Sequence, residues 1–186
     1  NPGLNAAINK HARHWADSPL PVIVNLMADR PEETKHMVRI LEGIENVTAI
    51  ELGFAPLLAD DIILIAIEMC LGELPLIVSL AAEQMLSLGP RAVQAGAAAL
   101  SLAVPRGMLP FAPGSSPEAG GGLISGRLFG PALFPRSLEV VHSAARLGLP
   151  IIGAGGVYTM ENVEAMITAG ALWVQMDAGL WLPKNK

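Results

Sequence analysis

Apolar positions repeat in one order along the chain: a short β-branched run, a turn, a longer stretch with apolar residues every three or four positions, then Gly or Pro. The short runs occupy residues 21–26, 47–53, 75–80, 99–104, 150–153 and 172–176. Each is nearly continuous in apolar residues, as parallel strands covered on both faces are. Stretches of helical spacing occupy residues 32–42, 60–72, 85–95, 136–147 and 160–169. Strands alternating with helices at these lengths predict βα units and a parallel sheet.

Turn chemistry supports the same division. Asp29, ahead of Pro31, Glu32 and Glu33, is a cap candidate for the first of these helices, with a proline in its opening turn and acids at the positive end of its dipole. Gly43, Gly72, Gly96, Gly148 and Gly170 stand just past helical stretches, where glycine closes a helix readily. One connection breaks the rhythm. Residues 105–135 are rich in proline and contain Gly120, Gly121 and Gly122, so they read as a long loop insertion, either functional or a mobile surface excursion.

Composition narrows the classes. The 186 residues are 52% hydrophobic and 16% charged, with net charge −5, which describes one domain with a substantial buried core. Mean hydropathy is +0.46, which excludes a disordered polyelectrolyte. Twelve basic residues and an acidic balance offer no footprint for nucleic acid or an anionic membrane. Residues 62–67 form the longest apolar run and Glu68 ends it, far short of the roughly 20 residues of a membrane span. With Cys70 as the single cysteine, no intrachain disulfide is possible, and a reducing cytoplasm is the expected compartment. The chain begins at Asn1 without a signal-like segment, so its start is either processed or continued upstream.

Candidate chemistry concentrates late in the chain. Residues 150–157 run from an apolar strand into Gly153, Gly155 and Gly156 and then into a helix, an arrangement that lets bare backbone N–H groups approach an anion. Tight strand-to-helix turns use glycine with or without a ligand, so the motif alone is weak. Glu51, within an apolar strand, is either an interior acid with a partner or a residue turned to a polar edge. Cys70, on an apolar helix, reads as packing rather than a nucleophile. His11 and His14 are i, i+3 neighbours without a third ligand, and His36 and His142 also fall on helices, so no metal site and no catalytic residue is assigned. Residues 60–71 are apolar nearly all round, which points either to a crowded core or to a protein or homo-oligomer contact, with Ile63 and Ile67 as the contact candidates.

From residue 150 to residue 180 the chain resembles the flavin-phosphate end of the dihydroorotate dehydrogenases. That family comprises FMN-dependent (β/α)8 TIM barrels that oxidise dihydroorotate to orotate in pyrimidine biosynthesis. The likeness continues in order: residues 1–4 resemble the start of the helix after the family's second strand, 21–25 its third strand, 47–56 its fourth strand and loop, 74–80 its fifth and 95–102 its sixth. Gly130, Pro131 and Pro135 resemble the opening of the next helix. The resemblance implies a (β/α)8-type fold with six recognisable βα units, strands three to eight. It also implies an FMN site formed by Ser79, Gly130, Gly155, Gly156, Asp177 and Ala178.

The departures fall on that chemistry. Where the family has Glu-Leu-Asn followed by Ser-Cys-Pro-Asn, this chain has Glu51-Leu52-Gly53 followed by Phe54-Ala55-Pro56, so the substrate-holding Asn and the base are replaced. Ser79 stands where the family carries a Lys beside the flavin, and Val104-Pro105 where it carries Asn-Thr. The last strand ends in Met176-Asp177-Ala178 rather than Gly-Thr. Two like unit charges about 4 Å apart repel by about 4 kcal/mol at an effective dielectric near 20, so an inward Asp177 opposes the flavin phosphate. The alternatives are that Asp177 turns outward or binds a cation. Three readings follow: an FMN-dependent oxidoreductase with a degraded active site, a non-catalytic barrel serving as a binding or assembly subunit, or another phosphate-handling (β/α) barrel, since this fold hosts many chemistries.

A complete barrel of this type takes eight strands and typically about 250 residues. Residues 1–186 therefore read as a single partial barrel domain lacking the first two strands. Its open edges need covering by an upstream segment, another chain or a rearranged closure.

Overall fold

The computed structural model describes residues 3–56, 58–110 and 123–177. A helix, α1 (Leu4–Ala16), leads into alternating elements: β1 (Val22–Met27), α2 (Pro31–Glu42), β2 (Val47–Gly53), α3 (Asp60–Cys70), β3 (Leu76–Leu80), α4 (Met85–Gln94) and β4 (Ala99–Leu102). After β4 come β5 (Arg106–Pro110) and β6 (Leu123–Arg127), followed by a short 3₁₀ turn at Pro131–Leu133. The chain then resumes with α5 (Phe134–Arg146), β7 (Ile151–Gly153), α6 (Met160–Thr168) and β8 (Trp173–Val174).

Six strands form one parallel sheet in the order β1-β2-β3-β4-β7-β8. Successive side chains on a strand point to opposite faces, so each strand serves two environments. Outward positions such as Ile50, Leu52, Val78, Leu80, Leu100 and Ile151 meet Val38, Leu41, Ile63, Ile67, Leu88 and Val141 of the surrounding helices in one dry core. Inward positions Ala49, Ile77, Ala99 and Ile152 form a second, smaller cluster on the inner face. This is the curled parallel sheet of a (β/α) barrel, and it contains the six βα strands expected from the sequence.

Some expectations need correction. The connection at 105–135 is more than a loop, because β5 and β6 pair antiparallel into a separate two-stranded ribbon. Its glycines and prolines obscure the short alternation of apolar residues, and Pro110 sits at a strand end, where a missing N–H is tolerated. Residues 111–122 lie outside the described residues. Asp29 does not cap α2: Arg30 holds the cap position without a side-chain bond, and Pro31 starts the helix. Thr159 and Asn162 form an unanticipated capping box on α6. Ile63 and Ile67 are not surface contact residues, being 2% and 0% exposed in the chain's own core. They follow the apolar stripe of α3 that faces the sheet, leaving Ile65 and Leu71 outside.

β1 and β8 are the two ends of the sheet. Ile23 on β1 is 53% exposed and Trp173 on β8 is 64% exposed, and each shares the inner face with the polar residue two positions on, Asn25 and Gln175. The inner apolar cluster is thus covered in the middle of the sheet and open at both edges. Among the described residues no helix is long and apolar enough to cross a membrane.

Candidate functional site

The inner face is stratified. Towards the N-terminal ends of the strands it is apolar, with Ala49, Ile77, Ala99 and Ile152 in contact. One inward step further along, β2, β3 and β4 carry Glu51, Ser79 and Ser101, joined by Asn25 on β1 and Gln175 just past β8. Glu51 is the hub of this upper level. Ser101 Oγ donates to Glu51 Oε1 at 2.6 Å, and Gln175 Nε2 donates to the same oxygen at 3.1 Å. Asn25 Nδ2 donates to Glu51 Oε2 at 2.9 Å. Four strands, β1, β2, β4 and the end of β8, are therefore tied together through one carboxylate. Glu51 is an interior acid with partners, the first of the two readings open from its sequence position.

Above this level, at the C-terminal ends of the strands, a cleft opens between the foot of the β5–β6 ribbon and the turns after β7 and β8. Ala103, Pro105, Phe129, Ser137, Tyr158 and Gln175 are among its walls, together with Gly130, Gly155, Gly156 and Asp177. Barrel enzymes keep their sites at this end. Gly155 and Gly156 have φ of +93° and +72°, and a side chain on Gly156 would collide with the Phe134 backbone at the start of α5. Glycine is thus required there by backbone conformation and by close packing together. The N–H groups of Gly155 and Gly156 donate to no described backbone acceptor, and both residues line the cleft.

Of the residues expected to form the site, Gly130, Gly155, Gly156 and Asp177 come together in this cleft. Ser79 lies on the inner face of β3, beside Ser101 in the β3–β4 register. Ala178 lies outside the described residues. Asn25, Ser101 and Gln175 were missed by sequence reasoning. Their signal was a polar residue at an inward position of an apolar strand, as for Glu51, but only the curled sheet brings such positions on four strands to one point. The remaining candidates stay apart from the site. Cys70 is buried, and burial pushes its thiol up to about 11, so it is not a nucleophile at neutral pH. His11 stacks on Trp15 with ring centroids 6.2 Å apart. No group of three or more metal-ligating side chains occurs among the described residues.

The cleft can be tested against the flavin that the resemblance implies. The free N–H groups of Gly155 and Gly156 suit an oxygen acceptor. The charge does not: none of the described residues lining the cleft is Lys or Arg, and Asp177 stands in its wall. At the position that the resemblance gives to the lysine beside the ring, Ser79 offers a hydroxyl and no charge. The residues present do not fit a dianionic flavin phosphate and its electron-rich ring.

No family model matches the chain. Curated proteins do. It is 29% identical to the catalytic subunit of dihydroorotate dehydrogenase B (NAD(+)) from Maridesulfovibrio salexigens, across 98% of this chain and 65% of that protein. It is 30% identical to the same subunit from Methanopyrus kandleri, across 95% of this chain and 61% of that protein. Among solved structures, ligand-free DHODH from Eimeria tenella superposes with a TM-score of 0.68 at 16% identity, covering 96% of this chain and 62% of that one. FabK from Thermotoga maritima reaches 0.55 at 20% identity, covering 95% and 48%. The fold is that of a parallel (β/α) barrel. More narrowly, the chain is a relative of the dihydroorotate dehydrogenases. It spans 65% or less of the length of these curated relatives.

Proposed function

We propose that this chain is a dihydroorotate dehydrogenase-like barrel that has lost flavin-dependent oxidation and acts as a ligand-binding or assembly subunit. The observation that carries this reading is the charge of the cleft: Asp177 is in its wall and no described Lys or Arg lines it. An FMN-dependent enzyme needs groups that offset the charge of the phosphate and of the reduced ring, and a base positioned to take the substrate proton. By the resemblance, Gly53, Ser79 and Val104 stand in this chain where the family has polar residues. The test is reconstitution with excess FMN followed by desalting and absorbance. The expected product is colourless, whereas stoichiometric yellow protein that turns over dihydroorotate would overturn the reading.

The assembly role is favoured by the open sheet. Among the described residues the end strands β1 and β8 each pair on one side only, and Ile23 and Trp173 expose apolar surface there. The single partial barrel domain would then be completed by strands from outside the described residues. Ile65 and Leu71 on the outer side of α3 offer a second, smaller contact.

A further inference from the structure

The open edge at β1 and the cleft wall after β8 belong to opposite ends of the sheet, yet one carboxylate holds both. Asn25 and Glu51 are partners in the β1–β2 register, so the bond from Asn25 Nδ2 to Glu51 Oε2 joins neighbouring strands. The bond from Gln175 Nε2 to Glu51 Oε1 does not: β8 lies four strand spacings from β2, about 19 Å along the sheet. It forms only because the sheet curls, and it crosses the barrel interior. Ser101, fully buried on β4, donates to the same Oε1 and pins the carboxylate from mid-sheet. Asn25 and Gln175 thus share one planar group, and each restrains the rotation that would release the other.

Both ends of this link are lightly held. Asn25 is exposed, and among the described residues its strand pairs on one side only. Gly53 has no side chain to cover the Asn25 amide nitrogen, which lies 3.7 Å from where a Cβ would begin. A strand added at β1 would set an inward residue beside Asn25, as Ser79 stands beside Ser101 in the β3–β4 register, where it competes with Glu51 for that amide. At the other end, β8 is two residues long and pairs with β7 alone among the described residues. So short an end strand opens at low free-energy cost. Its last tie is the one from Glu51 to Gln175, which lines the cleft, and Asp177 of the same wall follows two residues later.

We infer that Asn25, Glu51 and Gln175 link the two ends of the sheet, so that a strand added at the β1 edge alters the cleft, with Glu51 as the positioning residue. The inference rests on the reading of the chain as a ligand-binding or assembly subunit, and it makes those two roles interdependent. Such coupling is reciprocal: what frees β1 from Glu51 loosens the segment after β8, and the reverse.

The test is amide hydrogen exchange with side-chain amide resonances in the 186-residue chain. Asn25→Ala, at an exposed position, mimics withdrawal of the amide from Glu51. It should speed exchange of the Gln175 N–H, which donates to the Gly153 carbonyl, by at least about fivefold, the lower end of couplings between linked sites. The Gln175 side-chain amide should shift as well, while the Leu100 N–H at the sheet centre, bonded to the Pro150 carbonyl, keeps its rate. Gln175→Ala should speed exchange of the Ala28 N–H, which donates to the Gly53 carbonyl just past β1, and in the Asn25→Ala background it should add nothing there. An unchanged Gln175 N–H in Asn25→Ala overturns the inference. So does a Gln175→Ala effect on Ala28 that persists without Asn25, because the ends would then communicate by general loosening rather than through Glu51. Either failure leaves the subunit reading standing, since FMN reconstitution tests that reading separately.

Discussion

The two faces of the same six strands are built to opposite rules. On the outer face, Leu52, Val78, Leu100 and Ile151 are buried against helices, and the interface is apolar throughout. On the inner face only a thin layer, Ala49, Ile77, Ala99 and Ile152, is apolar, and above it sits a network of polar side chains around Glu51. The difference teaches where the chain keeps its stability and where it keeps its chemistry. Burial on the outer face is completed by the chain's own helices. The inner face is covered mid-sheet but open at Ile23 and Trp173, and it carries the hydrogen-bonding groups that a ligand could reach.

If that division is right, substitutions on the two faces should differ in size and kind. Leu100→Ala, at a fully buried outer position, should have the largest effect, lowering stability by about 2–5 kcal/mol in denaturant titration. A loss under about 1 kcal/mol would mean that the outer core is loosely packed. Glu51→Ala should come next, at about 1–3 kcal/mol, because it strips the buried Ser101 hydroxyl of its acceptor and releases two amides. It should also loosen β8 in hydrogen exchange, since Gln175 loses its tie to β2, a signature that Leu100→Ala would not share. Uniform exchange in both variants would erase the distinction between the faces.

The smallest effect sharpens the comparison from the outer side, where a second carboxylate ties backbone rather than strands. Glu42 accepts from Arg39 at 2.9 Å and from the Glu73 N–H at 2.8 Å, while Arg39 also donates to the Leu71 carbonyl. Burial pushes this carboxyl up, but the Arg39 hydrogen bond and charge, with the N–H groups of Glu73 and Leu74, outweigh it and hold the group below its ordinary range. Because the folded form favours the ionised state, Glu42 adds stability above the ordinary carboxylate pKa, and that stability fades as pH falls through the lowered value. Glu42→Gln should therefore lower the melting temperature at neutral pH and leave it almost unchanged at pH 2–3. An equal loss at both pH values would show that the contact does not depend on the charge.

Much of this was legible in the sequence because the signals are local. Continuous apolar runs placed β2 and β3 within a residue of where they lie, and helical spacing did the same for α2 and α6. The glycines at 155 and 156 announced a turn that tolerates no side chain. The β5–β6 ribbon was hidden because two short strands amid glycine and proline carry too little alternation to stand out. The stripe on α3 was visible, but which of its isoleucines face inward depends on the sheet beneath them, so Ile63 and Ile67 were misplaced on the surface. Glu51 drew notice as an acid among apolar neighbours. Its partners did not, since Asn25, Ser101 and Gln175 lie 26, 50 and 124 residues away.

By itself, then, the sequence determined the βα rhythm and the parallel sheet, because each is a matter of residue type and near-neighbour spacing. Only the tertiary structure decided that the inward positions of distant strands converge on one carboxylate and that Asp177 shares a cleft with Gly155 and Gly156. It also decided that apolar surface remains at the two open edges. Those outcomes follow from how far the sheet curls and which strands stand side by side, and parallel strands are brought together through crossovers whose spacing in the chain does not reveal what they will face.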